Sequence, residues 1–440
     1  MRCWRRCSNH STWGAAMNLH PNHLSLAMLN WMQSMSAWQI AKHVSSNSNG
    51  SLLDRLSPLA NHQLKSNPQR KNPRQKNRNP RPSAQAANHA SAPSVNPTDV
   101  FRDPEFLRIL QREAELRTHS ALDGLKHYQA IDREHEPSYC RTLWRRGTTE
   151  LNDYGADLPK TAPCLLLVPS LINRAHIFDL YAEVSVVSTL VSLGVRPLVL
   201  DWNEPGLQER RFDCADYVTY RVTEALSQAQ RLYDSVHLLG YCMGGILAQA
   251  AAQTAWTKPT SLILLSTPWD MSPFHLPEFT EESIAQMREW IMRQDVMPDW
   301  WSSAVFQLKD PFRFQRKFTR FLQMNEKEQQ HFAFVEDWAQ DGVPLSRYVA
   351  RECLIDWPQS NPLLNESWRV AGHSITTHAP CPTLCVIPKR DKIVPPTSAQ
   401  PLADTADHIL TPDCGHISLV VGQRASQSLW KPIAKWCGAG

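Results

Sequence analysis

From Cys164 onward the chain alternates short runs of consecutive apolar residues with longer stretches where apolar and polar positions mix at helical spacing. The runs cover 165–168, 196–201, 236–239 and 262–265, and two more come late, at 383–387 and 408–410. A strand apolar on both faces must be covered on both sides, so these runs predict a mostly parallel sheet. The stretches between them predict helices at about 177–192, 213–233 and 243–256. Such an order is that of an α/β fold with helices on both faces of the sheet. After Thr267-Pro268 the alternation stops and resumes only at 383. The intervening 268–378 predicts helices near 281–293 and 327–339 and carries Trp290, Trp300, Trp301, Trp338, Trp357 and Trp368. An aromatic-rich insertion between two late strands is expected to form a lid, while plain packing accounts for any one of these tryptophans taken singly.

A chain of 440 residues holds one large α/β domain with an insertion, or two smaller domains. The net charge of +4 hides a division. Residues 1–98 carry twelve Lys/Arg and a single acid, leaving 34 Lys/Arg against 41 acids for the rest. From 56 to 98 there is no acid at all, and Lys65, Arg70, Lys71, Arg74, Lys76, Arg78 and Arg81 alternate with Asn, Pro, Gln and Ser. Too little apolar surface is available there to offset ordering entropy, so a disordered basic linker is expected. Without aromatic interleaving it has no mark of a specific nucleic-acid module. The apolar run 24–41 is broken by Asn30, Gln33, Ser34, Ser36 and Gln39, which predicts a short amphipathic helix rather than a transmembrane segment or signal sequence. Residues 99–160 are expected to be a helical lead-in, with the core made of 161–267 and 379–440. Eleven cysteines, without CxxC pairs, argue against a disulfide framework and a zinc site and point to a reduced, cytoplasmic protein.

The chemistry concentrates at Gly240-Tyr241-Cys242-Met243-Gly244-Gly245, which follows the apolar run 236–239 and opens a helix rich in small residues. A strand, a tight turn and a helix place a thiol at the apex. Glycines two positions either side relieve the crowding that such a turn creates. Cys242 then stands at a helix N-terminus, whose partial positive charge favours a thiolate. The Met243 N–H faces the position of a developing oxyanion. The plain alternative is a buried cysteine in an ordinary strand-to-helix turn.

A thiol needs a base, and the base an orienting acid, which in sheets of this kind follow in chain order on loops after later strands. Asp391 meets the requirement for the acid, just after the strand at 383–387, and His416 that for the base, after the last strand. Asp413 is a nearby competitor for the acid. The second oxyanion donor is expected from the loop Pro169-Ser170-Leu171-Ile172-Asn173. Proline has no N–H, which leaves Ser170 or Leu171. Asn173 reads equally as a cap for the following helix or as a substrate contact. Tyr241, beside the thiol, is a further candidate contact.

The run 165–174, Asp179-Leu180, Asp201-Trp202-Asn203-Glu204-Pro205-Gly206, the G-x-C-x-G-G turn, Asp391 in D-x-I-V-P and Gly415-His416-Ile417 together resemble the polyhydroxyalkanoate (poly-3-hydroxybutyrate) synthases, over roughly 160–437. The resemblance implies an α/β-hydrolase fold, an acyltransferase, and Cys242 as the acyl-accepting nucleophile. His416 is then its base and Asp391 the acid that orients His416 or helps activate a substrate hydroxyl. It also implies a 3-hydroxyacyl-CoA substrate, a polyester chain or granule surface as partner, and a possible homodimer. CoA arrives as part of the substrate, so no separate cofactor and no metal is expected. The lid and the segment before 165 depart from the family pattern. A rival reading is a hydrolase with the same cysteine elbow: a thioesterase, a polyester depolymerase or an esterase similar to dienelactone hydrolases. A second is a non-catalytic granule- or partner-binding protein.

Overall fold

The computed structural model describes residues 104–275, 280–299 and 312–439. The expected N-terminal amphipathic helix and basic linker, and Trp300 and Trp301, lie outside the described residues. Two compact units divide the chain, and the larger, Gly124–Arg313 with Arg320–Gly440, carries the sheet. The other contributes, among the described residues, most of helix α1 (Pro104–Ala130) and the turn of helix at 314–319.

Eight strands form the main sheet: β1 (Arg141–Arg146), β2 (Thr149–Asp153), β3 (Cys164–Val168), β4 (Arg196–Asp201), β5 (Val236–Tyr241), β6 (Leu262–Leu265), β7 (Thr383–Val386) and β8 (His408–Leu410). Their spatial order is β1-β2-β4-β3-β5-β6-β7-β8. Every pair from β4 to β8 is parallel, and β1 and β2 join the edge antiparallel. The hydrophobic runs explain the burial. Alternate side chains enter opposite cores: Leu166, Val168 and Leu238 pack on one face, and Leu165, Leu167 and Leu239 on the other. Removing each such leucine from water contributes about 2 kcal/mol, so both faces need helical cover. Helices α2 (Val186–Ser192), α3 (Thr223–Leu232) and α4 (Met243–Thr254) connect the first parallel strands.

Between β6 and β7 lie α5 (Glu281–Arg293), started by a Thr280 cap, and α6 (Glu326–Gln340), started by a capping box between Asn325 and Glu328. Trp338, Trp357 and Trp368 are buried there, while Trp290 is partly exposed. Helices α7 (Pro396–Ala403) and α8 (His416–Val421) complete the sheet layer. The lead-in 99–160, expected to be helical, is helical only to Ala130 and then forms the β1–β2 hairpin. Its strand β1 reads Arg-Thr-Leu-Trp-Arg-Arg and exposes four of six side chains, so it lacks the apolar run of a central strand. Charge on an edge strand also discourages pairing with another chain.

Candidate active site

Strand β5 delivers Cys242 to the C-terminal edge of the sheet, where the backbone turns sharply into α4. Cys242 has φ 55° and ψ −125°, a conformation that costs a non-glycine residue about 1–3 kcal/mol. Two hydrogen bonds hold it: Cys242 N–H donates to the Leu265 carbonyl at 2.9 Å, and its own carbonyl accepts from Gly245 N–H at 2.9 Å. The glycines are required by contact. A Cβ on Gly240 would stand 2.4 Å from the Gly245 Cα, and one on Gly244 would stand 2.2 Å from the Val168 carbonyl oxygen. The strand, the helix and the 169–173 loop are therefore packed backbone to backbone around the thiol.

Asp391 and His416, on the loops after β7 and β8, meet in the interior. The Nδ1 of His416 lies 2.7 Å from Asp391 Oδ2. Asp391 Oδ1 accepts from the N–H groups of Ile393 at 2.8 Å and Val394 at 2.9 Å. Burial alone would raise the Asp391 carboxyl, but the hydrogen bond and charge of His416, with the Ser266 hydroxyl and the Val394 N–H, hold it below its ordinary value. An ionised Asp391 fixes the proton on Nδ1 of His416 and leaves the other ring nitrogen free to serve the Cys242 side chain. Burial pulls the imidazole down, yet the charge of Cys242 and the hydrogen bonds to Asp391 and Cys242 overcome it and push His416 up to about 10. A thiol, an imidazole and a carboxylate thus form one chain. A thiol with an imidazole and a carboxylate in this order is the set of groups by which a cysteine attacks a carbonyl.

The competitor Asp413 is not part of it. Its side chain is 73% exposed and pairs with Arg390 at 2.9 Å, whereas that of Asp391 is fully buried. Tyr241, expected to touch substrate, is buried instead and donates its hydroxyl to the His416 carbonyl at 3.2 Å. Its ring lies 5.0 Å from that of His416, so it braces the histidine loop. Asn173 does not cap the turn of helix Ala175–Phe178, whose cap position is Arg174; its backbone pairs with Gly342. Ser170 and Leu171 are buried in the loop over the elbow, and the Pro169 carbonyl accepts from the Trp202 indole N–H at 3.2 Å. One neighbour escaped the sequence reading: Ser266, directly after β6, hydrogen-bonds both Asp391 and His416. A lone serine after a strand gives no pattern to find.

Beside His416 opens a cavity of about 650 Å³, walled in part by Phe332, Val335, Ile393 and Ile417, with Arg320 and Glu328 also lining it. Among the described residues no cluster of three or more His, Cys, Asp or Glu is arranged to hold a metal ion, and no helix is long and apolar enough to cross a membrane.

A family model described as "Alpha/beta hydrolase family" matches residues 165–427, the stretch that holds the elbow, Asp391 and His416. The chain belongs to the alpha/beta hydrolase family. Within that family it is similar to polyhydroxyalkanoate synthases. Against the poly(3-hydroxyalkanoate) polymerase subunit PhaC of Haloferax mediterranei it is 27% identical over 284 residues, which cover 62% of this chain and 58% of that protein. The matched stretch is thus less than two thirds of the Haloferax protein. Against the subunit PhaC of Allochromatium vinosum it is 24% identical over 361 residues, covering 77% of this chain and 98% of the other. Among solved structures, the thioesterase domain from the curacin biosynthetic pathway aligns with a TM-score of 0.43 at 15% identity, over 69% of this chain and 99% of that one.

Proposed function

We propose that this chain is an acyltransferase of the polyhydroxyalkanoate synthase kind, with Cys242 as nucleophile, His416 as general base and Asp391 as the acid that orients it. The observation that carries the reading is a cysteine, rather than a serine, at the strained apex, with its charge raising a His416 that is paired to Asp391. Exchange of one thioester for another is close to thermoneutral, so a thiol suits an acyl-CoA donor. The Cys242 sulfur attacks the thioester carbonyl, the oxyanion is held by the Met243 N–H with Ser170 or Leu171, and CoA leaves as the thiol with the proton from His416. His416 then takes the proton of a 3-hydroxyl group, whose oxygen attacks the acyl-Cys242. An ester forms and the thiol is restored. Residues 268–378 act as the lid, and the apolar Phe332 and Val335 that they place in the cavity beside His416 support exclusion of water.

The polar residues Arg320 and Glu328 on the same cavity favour a second reading, hydrolysis, in which water takes the place of the hydroxyl. Incubation of the purified protein with 3-hydroxybutyryl-CoA separates the two by products. Release of CoA with insoluble polymer and little free 3-hydroxybutyrate is expected. Free acid equimolar with CoA supports the hydrolase, and CoA release that persists in Cys242→Ala overturns both.

A further inference from the structure

We propose that Ser266 is a positioning residue of this site, a fourth member that holds Asp391 and His416 in their working geometry. This inference rests on the reading of Cys242 as the nucleophile, and not on the identity of the acyl acceptor.

Ser266 follows β6 directly and is 1% exposed. Its hydroxyl lies against Asp391 Oδ2 and 2.9 Å from His416 Nδ1. A hydroxyl has one proton, and Asp391 Oδ2 can only accept, so Ser266 donates to the carboxylate. Toward the imidazole the serine oxygen therefore accepts, and the Nδ1–H is shared between Asp391 and Ser266. Both carboxylate oxygens are then doubly engaged: Oδ1 by the N–H groups of Ile393 and Val394, Oδ2 by Ser266 and His416. Neither the carboxylate nor the ring can rotate without breaking a buried, charge-assisted hydrogen bond.

The backbone supports the same conclusion. Ser266 has φ 46°, the left-handed region, which glycine occupies at lower cost. It is pinned there by its N–H to the Val386 carbonyl at 2.9 Å. Glycine would ease the backbone at this point but leave Asp391 and His416 without the hydroxyl. A serine held in this conformation, with its whole polar capacity directed into the site, is accounted for by what the side chain does.

The test compares Ser266→Ala, Ser266→Gly and Ser266→Thr by two readouts that need no acyl-CoA: the rate of Cys242 alkylation by iodoacetamide across pH, followed by mass spectrometry, and the thermal midpoint. Ala and Gly should slow alkylation at pH 7 by about tenfold, the size of one lost charge-assisted hydrogen bond. The acid limb of the profile should move to higher pH by about one unit, the shift that a tenfold loss corresponds to, because a loosely held imidazolium stabilises the thiolate less. Gly should do so with an unchanged or higher thermal midpoint, and Thr, which keeps the hydroxyl, should restore most of the rate. A purely structural role predicts that Gly reacts like the wild type. Wild-type rate and pH profile in Ser266→Gly would overturn the proposal, as would an unchanged profile in a folded Ser266→Ala. If Ala does not fold, the Gly and Thr pair decides. Failure of polymer synthesis with these alkylation results intact would count against the acyltransferase reading alone.

Discussion

Strand β5 ends at two buried histidine environments that behave in opposite ways. At its start, His237 sits with Nδ1 2.7 Å from Ser261 Oγ and Nε2 3.2 Å from Ser235 Oγ. Burial lowers it to about 4, although a hydrogen bond with the Cys437 backbone opposes the shift. At the far end, beyond Cys242, His416 is equally enclosed but faces Asp391 and Cys242 and is pushed up to about 10. Burial is common to both, so the charged partner decides. Hydroxyl neighbours make a neutral, structural histidine, whereas a carboxylate and a thiol make one that holds a proton. The same contrast separates Asp391 from Asp413, one buried against His416 and the other exposed beside Arg390.

The largest expected effect comes from removing the charge at the His416 end. Asp391→Asn should lower the rate of Cys242 acylation by about 10³–10⁴-fold with little change in KM, since the amide no longer fixes the tautomer. Single-turnover CoA release checks this. Gly244→Ala comes next. Its Cβ would meet the Val168 carbonyl at 2.2 Å, and backbone must move to admit it. A loss of about 3 kcal/mol or more in urea unfolding is expected, or failure to fold.

The two histidines should also leave opposite signs in the pH dependence of stability. His237 is depressed in the fold, so the unfolded chain binds more protons between about 4 and 6.5, and stability is lost as pH falls through that window. His416 is raised, so its contribution is fully present below 6.5 and is lost as pH rises toward about 10. Replacing His237 with Asn should flatten the acid side of the curve by up to about 3 kcal/mol and leave acylation at pH 7 unchanged. An acylation rate that falls with His237→Asn would break the division between the two ends. The smallest effect is expected at Asp413→Asn, within about 0.5 kcal/mol in stability and with no change in acylation, because its ion pair is solvent-exposed.

The sequence made the sheet and the elbow legible for related reasons. Central strands must be apolar on both faces, so β3 to β7 stand out as runs, and a turn packed backbone to backbone needs glycines, so Cys242 is framed by them. Asp391 and His416 were found through chain order, since each follows a strand that the pattern had already marked. What was hidden has no periodic signal. Strand β1 lies at the edge, where solvent permits arginine and threonine, and β2 beside it is buried but reads Thr-Glu-Leu-Asn-Asp, so neither shows an apolar run. Ser266 is a single polar residue whose meaning comes from a left-handed backbone angle and two contacts more than a hundred residues away. Tyr241 adjoins the thiol in sequence and Asn173 ends the loop after β3, but only the fold shows Tyr241 turned inward to the His416 carbonyl and Asn173 paired through its backbone with Gly342.

The central claim is that Cys242 takes the acyl group with His416 as its partner. Intact-protein and peptide mass spectrometry after rapid mixing with 3-hydroxybutyryl-CoA tests it directly. The account predicts one acyl adduct, on Cys242, formed together with one equivalent of CoA and reduced at least about a hundredfold in rate by His416→Ala. CoA release without an adduct on Cys242, at a rate that Cys242→Ala does not change, would contradict it.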